Sequence, residues 1–154
     1  MIESDFIVWN APDAENPART ASQRSYDATA RKAKDEWLAL YAPDAVLEDP
    51  VGPSLFDEAG KGHHGHEGLG AFWDAVIAPV VSFRFTVHDS FANGPHCANV
   101  ATFTTELADG SLADTDLVCV YRLNEDGLIE SMRAHWEMER TFATIRRPSQ
   151  PGTP

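Results

Sequence analysis

The chain has 154 residues, with 12 Lys and Arg against 24 Asp and Glu, so its formal net charge is −12. Apolar residues make up 43% of the chain and charged residues 23%, a balance typical of a globular protein and not of a disordered one. We expect one folded domain, large enough to bury a hydrophobic core.

The charge balance weighs against nucleic acid as a partner, because a phosphate-binding face needs clustered Lys and Arg and the one tight basic cluster is Arg146-Arg147. No run approaches about 18 consecutive apolar residues, so we expect no membrane insertion. Residues 1–10 lack the basic and apolar regions of a signal peptide. Two cysteines, Cys97 and Cys119, are too few for a disulfide framework or a thiolate zinc site. These features predict a reduced, cytoplasmic protein.

The two ends of the chain are expected to lie outside the folded domain. Residues 1–16 are mostly polar and predict a loose arm, while residues 148–154 carry three prolines and no apolar anchor, which predicts a disordered tail. The folded domain is then expected to span residues 17–147.

Helix-forming residues and apolar spacing predict three helices in the first half of the chain. In chain order the helices are expected over 17–33, 36–41 and 65–77, with a short strand over 45–49 between the last two. Asp35 is a suitable cap for the second helix, and Pro43 ends it because proline cannot continue the hydrogen-bonded ladder.

In the second half of the chain, apolar and polar residues alternate as they do in long strands. Strands are expected over 81–89, 97–107, 114–123 and 128–142. Turn sequences rich in Asn, Asp and Gly separate these strands, as antiparallel hairpins require. Helices followed by hairpin-linked strands indicate an α+β fold, with a curved antiparallel sheet and N-terminal helices that form a conical barrel around an apolar cavity. Such a concave interior is the default place for a ligand.

Asp49 is the most informative single residue. It ends an apolar strand and precedes Pro50, so its carboxylate has restricted freedom and is partly shielded from water. A shielded carboxylate has a raised pKa and can act as a general base near neutral pH. The alternative is that Asp49 caps a loop or pairs with Arg133 or Lys61, since most aspartates at strand ends are turn residues.

The run from Tyr41 to Gly52 resembles the corresponding stretch of bacterial ketosteroid isomerases, and three later segments fit the same pattern. The first is residues 64–67, which open the helix that carries Phe72 and Trp73. The second is Tyr121-Arg122-Leu123, which precedes an acidic turn with glycine, and the third is Met132 to Trp136 on the last strand. Over about residues 22–142 the chain resembles the nuclear transport factor 2-like, or SnoaL-like, superfamily, and within it an actinobacterial ketosteroid isomerase-like branch.

This resemblance implies that Asp49 shuttles a proton between two carbons of a steroid enone. A tyrosine hydroxyl and a protonated aspartic acid hold the dienolate oxygen in that family. Tyr26 matches the tyrosine if a one-residue indel is allowed, whereas Cys119 stands where the acid is expected. A thiol is a weak donor, and losing one oxyanion-hole donor costs about 10²–10³ in rate. Three alternatives follow: the activity is poor, another donor such as His135 or Trp136 contributes, or the reaction is different.

Inward-facing apolar residues are predicted to form the ligand-binding wall, with ordinary core packing as the alternative for each. They are Trp136, Phe72, Trp73, Phe83, Phe85, Phe103, Cys119 and Met132. Such a wall fits a steroid-like ligand or another polycyclic ketone.

His63, His64 and His66 lie close together, and a His-x-His pair can bind zinc or iron. A metal site usually needs three or four preset ligands, and no second cluster of matching type is present in the sequence. We therefore predict no metal and no cofactor, and proton abstraction next to a ketone requires neither.

The sequence predicts an isomerase that moves a carbon–carbon double bond, and the resemblance implies a homodimer formed through the outer face of the sheet. A polyketide cyclase, dehydratase or epoxide hydrolase on the same scaffold is the first alternative. An arginine paired with Asp49 would favour epoxide opening, but Arg84 and Arg133 are expected to face outward. A non-catalytic binder is the second alternative, and it would be favoured if Asp49 were exposed or salt-bridged.

Overall fold

The computed structural model describes residues 1–148, which form seven strands and four α-helices. The elements in chain order are β1 (Ile7–Trp9), α1 (Pro17–Ala30), α2 (Lys34–Ala39), β2 (Tyr41–Glu48), β3 (His63–His64), α3 (Gly65–Phe72), a π-helical turn (Trp73–Ile77), β4 (Ser82–Asn93), β5 (His96–Glu106), β6 (Leu112–Leu123), β7 (Ile129–His135) and α4 (Met138–Phe142).

All seven strands belong to one sheet, in the order β1-β4-β5-β6-β7-β2-β3. Strands β4 to β7 pair antiparallel through hairpins, whereas β1 pairs with β4 and β2 pairs with β7 in parallel. Register irregularities in β2, β4 and β6 mark β-bulges, which bend and twist a sheet. The predicted α+β fold with a curved, mainly antiparallel sheet is confirmed.

Helix α1 packs across β4, β5 and β6. The side chain of Asn16 caps its first turn by accepting hydrogen bonds from the backbone N–H groups of Ala18 and Arg19, at 2.8 and 3.0 Å. Pro17 occupies the first turn, where its missing N–H costs nothing. This fixed start brings Tyr26, two turns further on, into the core.

The core lies between the helices and the inner face of the sheet. Its largest fully buried side chains include Trp37, Tyr41, Leu47, Leu69 and Tyr121. Within residues 1–148, no helix has both the length and the apolar character needed to cross a membrane.

The prediction of a loose arm over residues 1–16 is wrong for residues 7–9. They form β1, which pairs Ile7 with Phe85 and Trp9 with Val87, and Ile7 is buried. Three apolar residues are too short a signal for a strand on their own, and the partner edge of β4 supplies the missing stabilisation. The predicted tail falls on residues 148–154, of which 149–154 lie outside the described residues.

Three other boundaries differ from the sequence prediction. Tyr41 begins β2 instead of ending a helix, and the helix predicted over 65–77 changes to π-helical winding at Trp73. The strand predicted to continue to Phe142 ends at His135, and α4 follows. Alternating apolar residues continue past His135, so periodicity alone did not reveal the change to a helix.

Candidate active site

A cavity of about 310 Å³ lies between the inner face of the sheet, α1, the π-helical turn and α4. Its walls include Tyr26, Tyr41 and Tyr121, which are 1–2% exposed, and the carboxylate of Asp49. Towards solvent it is lined by Phe142, which is 53% exposed. The polar groups therefore lie at the buried end of an apolar cavity.

Six of the eight predicted wall residues line this cavity. They are Phe72, Phe83, Phe85, Phe103, Met132 and Trp136. Their rings are packed against one another: Phe83 stacks on Phe85 at 5.8 Å between centroids, and Phe103 meets Phe85 edge-on at 4.7 Å. Walls of this kind are flat and rigid, as a polycyclic apolar ligand requires.

The other two predicted wall residues, Trp73 and Cys119, are not among the residues that line the cavity. Trp73 starts the π-helical turn and packs its ring against Trp37 at 5.2 Å. Cys119 is fully buried, and the hydroxyl of Tyr121 donates a hydrogen bond to its sulfur at 3.9 Å. Strand alternation placed both the thiol and the Tyr121 ring on the inner face, but the larger Tyr121 side chain is the one that reaches the cavity.

The backbone of two parallel strands positions Asp49. Strand β2 ends at Glu48, whose register partner on β7 is Arg133, so Asp49 follows directly alongside the end of β7. The backbone N–H of Val51 then donates to the carbonyl of Ala134 at 2.8 Å, and the peptide bond between Asp49 and the next residue is cis. The carboxylate is therefore held at the end of the β2–β7 strand pair rather than on a free loop.

Trp136 orients the carboxylate: its Nε1–H donates to Oδ1 of Asp49 at 2.6 Å. No cation of the described residues forms an ion pair with Asp49, since Arg133 pairs with Glu48 and Arg84 is exposed. The predicted alternative of an Asp49–Arg133 pair is therefore wrong.

Burial raises the pKa of Asp49 to about 6, and the hydrogen bond from Trp136 lowers it in part. The side chain keeps a small exposed fraction, on the side of the cavity. A carboxylate with such a pKa is ionised near neutral pH and is still basic enough to accept a proton from carbon.

All three tyrosines of the chain line the cavity. Tyr26 accepts a hydrogen bond at its Oη from Nδ2 of Asn99, at 3.0 Å. The Oη of Tyr41 is buried and has no hydrogen-bond partner among residues 1–148. Burial raises the pKa of each of the three hydroxyls, so all three are neutral and able to donate.

Of the polar residues at the buried end of the cavity and next to it, Tyr26 was named as a candidate from the sequence, but Tyr41, Tyr121 and Asn99 were not. Tyr41 begins the motif run that contains Asp49, and Tyr121 shares a strand face with Cys119, so both were visible in the sequence. Asn99 gave no signal, because a polar residue inside a strand most often faces solvent. It is fully buried here.

Neither of the two donors suggested in place of the missing acid replaces it. Trp136 gives its N–H to Asp49, and His135 is exposed on the other face of the sheet. Burial raises the pKa of the Cys119 thiol strongly, with the charge of Asp49 as a second cause. The thiol of Cys119 is thus favoured in its protonated form, in which it is a weak hydrogen-bond donor.

The three clustered histidines make separate contacts. Nε2 of His66 lies 2.9 Å from the carbonyl of Tyr41, Nε2 of His64 lies 2.8 Å from the carbonyl of Lys61, and the ring of His63 packs on Phe72 at 4.9 Å. The His66 contact attaches the start of α3 to β2, the strand that leads to Asp49, and the pairing of His63 and His64 with Leu47 and Val46 attaches β3 to the same strand.

A curved sheet wrapped by helices around an apolar cavity, with a carboxylate and tyrosine hydroxyls at its buried end, defines a domain of the nuclear transport factor 2-like class. The SnoaL-like domain matches residues 22–132. The chain belongs to the SnoaL-like family.

Relatives with known functions or structures share this fold over most of the chain. A steroid Delta-isomerase of Nocardioides simplex is 33% identical over 118 residues, which are 77% of this chain and 88% of that protein. The crystal structure of a Delta 5-3-ketosteroid isomerase from Mycobacterium sp. is 30% identical, covers 86% of this chain and 98% of its own, and has a TM-score of 0.77. A Mycobacterium tuberculosis protein in complex with estradiol-17β-hemisuccinate is 34% identical, with coverages of 82% and 98% and a TM-score of 0.76.

Proposed function

We propose that this protein is a ketosteroid isomerase-like enzyme, which moves a carbon–carbon double bond into conjugation with a ketone. One observation carries the proposal: Asp49, shielded and without an ion-pair partner among the described residues, shares the buried end of an aromatic cavity with neutral tyrosine hydroxyls. This is the arrangement that enolisation of an apolar ketone requires.

The reaction is a proton transfer within one substrate. The Asp49 carboxylate takes a proton from the carbon between the ketone and the double bond, and the C–H electron pair moves into the carbonyl to give a dienolate. The hydroxyl of Tyr26 donates a hydrogen bond to the oxygen while negative charge develops there. The carboxylic acid of Asp49 then returns the proton to the far carbon of the dienolate, which restores the ketone and leaves the double bond conjugated.

Trp136 and the phenylalanine walls support this chemistry in different ways. The indole N–H fixes the orientation of the carboxylate, so that one oxygen remains available for the proton. The apolar walls around it exclude water, which strengthens the hydrogen bond from Tyr26 to the dienolate oxygen. The relatives that act on or bind steroids support a steroid-like ketone as the substrate.

The test is turnover of a β,γ-unsaturated 3-ketosteroid, followed by the absorbance of the conjugated product. Wild type is compared with Asp49→Asn, and with Asp44→Asn as a matched control, since Asp44 is an exposed carboxylate on β2, the strand that leads to Asp49. The proposal is supported if wild type and Asp44→Asn turn over the ketosteroid and Asp49→Asn has lost nearly all of this activity. Absence of turnover in wild type contradicts it.

A steroid binder without catalysis is the second candidate, favoured by Cys119 at the position where the resemblance implies an acid. Saturable ketosteroid binding that survives Asp49→Asn, with no turnover in wild type, would establish it. Epoxide hydrolysis is disfavoured because no arginine of the described residues is paired with Asp49. A cyclase or dehydratase would be pursued if wild type neither bound nor turned over the ketosteroid.

We also propose that the protein is a homodimer formed through the outer face of the sheet. Val100 and Val118 are cross-strand partners on that face and are 37% and 39% exposed, and Val120 and Phe91 extend the same apolar surface. Val118→Lys is expected to give a monomer in analytical ultracentrifugation, whereas wild type is expected to sediment as a dimer.

The two buried free cysteines fit a reducing compartment, and we propose that the protein is located in the cytoplasm.

A further inference from the structure

A chain of buried hydrogen bonds runs from Arg19 on α1 to the hydroxyl of Tyr26. Nε of Arg19 donates to Oγ of Ser90 at 3.0 Å, and Oγ of Ser90 donates to Oδ1 of Asn99 at 2.8 Å. Nδ2 of Asn99 then donates to Oη of Tyr26 at 3.0 Å. All four side chains are 7% exposed or less.

The direction of every bond in this chain follows from Arg19. A guanidinium has donors and no acceptor, and it stays charged. Ser90 Oγ must therefore accept from Arg19, and its single hydrogen goes to Asn99. Oδ1 of Asn99 must face Ser90, so Nδ2 must face Tyr26.

Two further contacts agree with this orientation of Asn99. The hydroxyl of Ser22 gives its hydrogen to the carbonyl of Arg19 at 2.7 Å, so it can only accept from Nδ2 of Asn99, at 2.9 Å. On the other side, the thiol of Cys97 donates to Oδ1 of Asn99 at 3.3 Å. Every polar atom of the Asn99 side chain is used, and a flipped amide would meet the wrong partner at each one.

The consequence reaches the cavity through the hydroxyl of Tyr26. This hydroxyl has one hydrogen, and because it accepts from Asn99 that hydrogen is available to another acceptor; Tyr26 lines the cavity, and its ring centroid lies 6.2 Å from that of Tyr121. Arg19 forms no ion pair within residues 1–148, so its uncompensated charge polarises each bond of the chain in the same direction.

We propose that Arg19, Ser90 and Asn99 are positioning residues, which fix Tyr26 as a one-way hydrogen-bond donor towards the ligand oxygen. This inference rests on the proposed function, because it assigns to Tyr26 the role of oxyanion donor. It also accounts for catalysis without an acid at Cys119: the remaining donor is pre-oriented and polarised rather than free to rotate.

Asn99→Asp tests the direction of the chain with almost no change in size. A carboxylate can only accept, so at pH 8 it would take the hydrogen of Tyr26 and withdraw it from the cavity. We expect kcat to fall about 10²–10³-fold, as for loss of an oxyanion-hole donor, with KM changed much less. Asn99→Leu removes the bond without reversing it and is expected to lose less activity than Asn99→Asp. Asn93→Asp, an exposed position on β4, is the charge-matched control and should keep wild-type activity.

A second readout reports on Tyr26 directly, without substrate. With only three tyrosines in the chain, ¹³C labels at the tyrosine Cζ give three signals that single Tyr→Phe variants assign. In Asn99→Asp the Tyr26 signal should move towards the phenolate position, whereas Asn93→Asp should leave it in place. Ser90→Ala, which cuts the link to Arg19, should also move the Tyr26 signal, by a smaller amount.

Two results would overturn the inference: an unchanged Tyr26 signal in Asn99→Asp, or an Asn99→Asp variant as active as Asn99→Leu or more so. If an Asn99 variant does not fold, the Ser90→Ala signal decides in the same way. Failure of the proposed function is a separate outcome. Wild type without turnover would refute the isomerase, while the Cζ signals of the ligand-free protein would still show which way Tyr26 donates.

Discussion

The indole N–H of Trp136 and the carboxylate of Asp49 are joined by a 2.6 Å hydrogen bond, although 87 positions separate the two residues in the chain. The bond connects the segment after β7 with the end of β2, two strands that pair in parallel. Trp136 is thus both a wall of the cavity and a hydrogen-bond partner of the Asp49 carboxylate, so a change at Trp136 acts on the shape of the cavity and on the pKa of Asp49 together.

The pH dependence of the reaction follows from the pKa of Asp49. In the proposed mechanism the Asp49 carboxylate must be ionised, and its pKa is raised to about 6, so kcat/KM for a β,γ-unsaturated ketosteroid should fall about tenfold per unit as pH drops below 6. Above pH 7 it should be level. The profile is measured from initial rates between pH 4.5 and 8.5, and a flat profile across pH 6 would show that Asp49 is not the base.

Replacing Trp136 by Phe keeps an aromatic wall and removes the hydrogen bond. Since that bond lowers the pKa of Asp49, the variant should have a higher pKa for the base, and the acidic limb of its pH profile should move to higher pH. At pH 6 the variant should therefore be slower relative to wild type than it is at pH 8. A uniform loss at every pH would assign Trp136 to shape alone.

Asp49→Asn should stabilise the folded protein at high pH. The folded-state pKa is raised from 3.8 to about 6, so between these values the folded state holds a proton that the unfolded chain releases. The free energy of unfolding then falls as pH rises through this window and is lowest above it. At about 1.4 kcal/mol per pKa unit, the variant should gain up to about 3 kcal/mol over wild type at pH 8.

That difference is measured by urea unfolding at pH 8 and at pH 4, where Asp49 is mostly protonated and the gain should be much smaller. Asp44→Asn serves as the control, because its exposed carboxylate should give no comparable gain at pH 8. A gain of the same size at both pH values would point to packing and not to ionisation.

Tyr41→Phe removes a buried hydroxyl that has no partner among the described residues. An unsatisfied buried hydroxyl costs about 1–3 kcal/mol, so the variant should be as stable as wild type or more so in thermal unfolding. Tyr26→Phe should instead destabilise the protein, because it leaves Nδ2 of Asn99 with one acceptor fewer. Destabilisation by Tyr41→Phe would mean that its hydroxyl is bonded in solution.

Two substitutions of Cys119 separate its packing from its chemistry. Cys119→Ala should change kcat by less than about tenfold, because a thiol is a weak donor and the side chain lies behind Tyr121. Cys119→Asp places a carboxylic acid in a site where burial and the charge of Asp49 favour the protonated form. If this carboxylic acid reaches the dienolate oxygen, kcat of Cys119→Asp should exceed that of wild type. The values of kcat for both variants and wild type are measured by steady-state kinetics.

The sequence was sufficient for those features that depend on local pattern. Strand alternation and turn residues located β4 to β6, and the strand-end position of Asp49 before a proline predicted a shielded carboxylate, which the structure places at the cavity. Two side chains were misjudged: Trp73 and Cys119 are buried, Trp73 against Trp37 and Cys119 beside Tyr121, and neither lines the cavity. Alternation gives the face of a strand or helix and not the distance that a side chain reaches.

Features that depend on distant parts of the chain were not predictable from local pattern. Asn99 is buried because Ser22, Tyr26 and Ser90, from α1 and β4, together satisfy its amide. Strand β1 is only three residues long, and its stability depends on the edge of β4. Such positions become visible only when the partner surface is known.

The pairing of β1 with β4 affects the tendency of the protein to aggregate. The edge of β4 is a long row of backbone donors and acceptors, and an open edge of this kind invites strands from other molecules. Residues 7–9 occupy it, with the backbone of Asn10 and Phe6 adding hydrogen bonds at both ends. By covering this edge, the N-terminal segment should prevent β4 from pairing with strands of other molecules. A chain shortened by its first ten residues should therefore precipitate at concentrations where the full chain stays in solution.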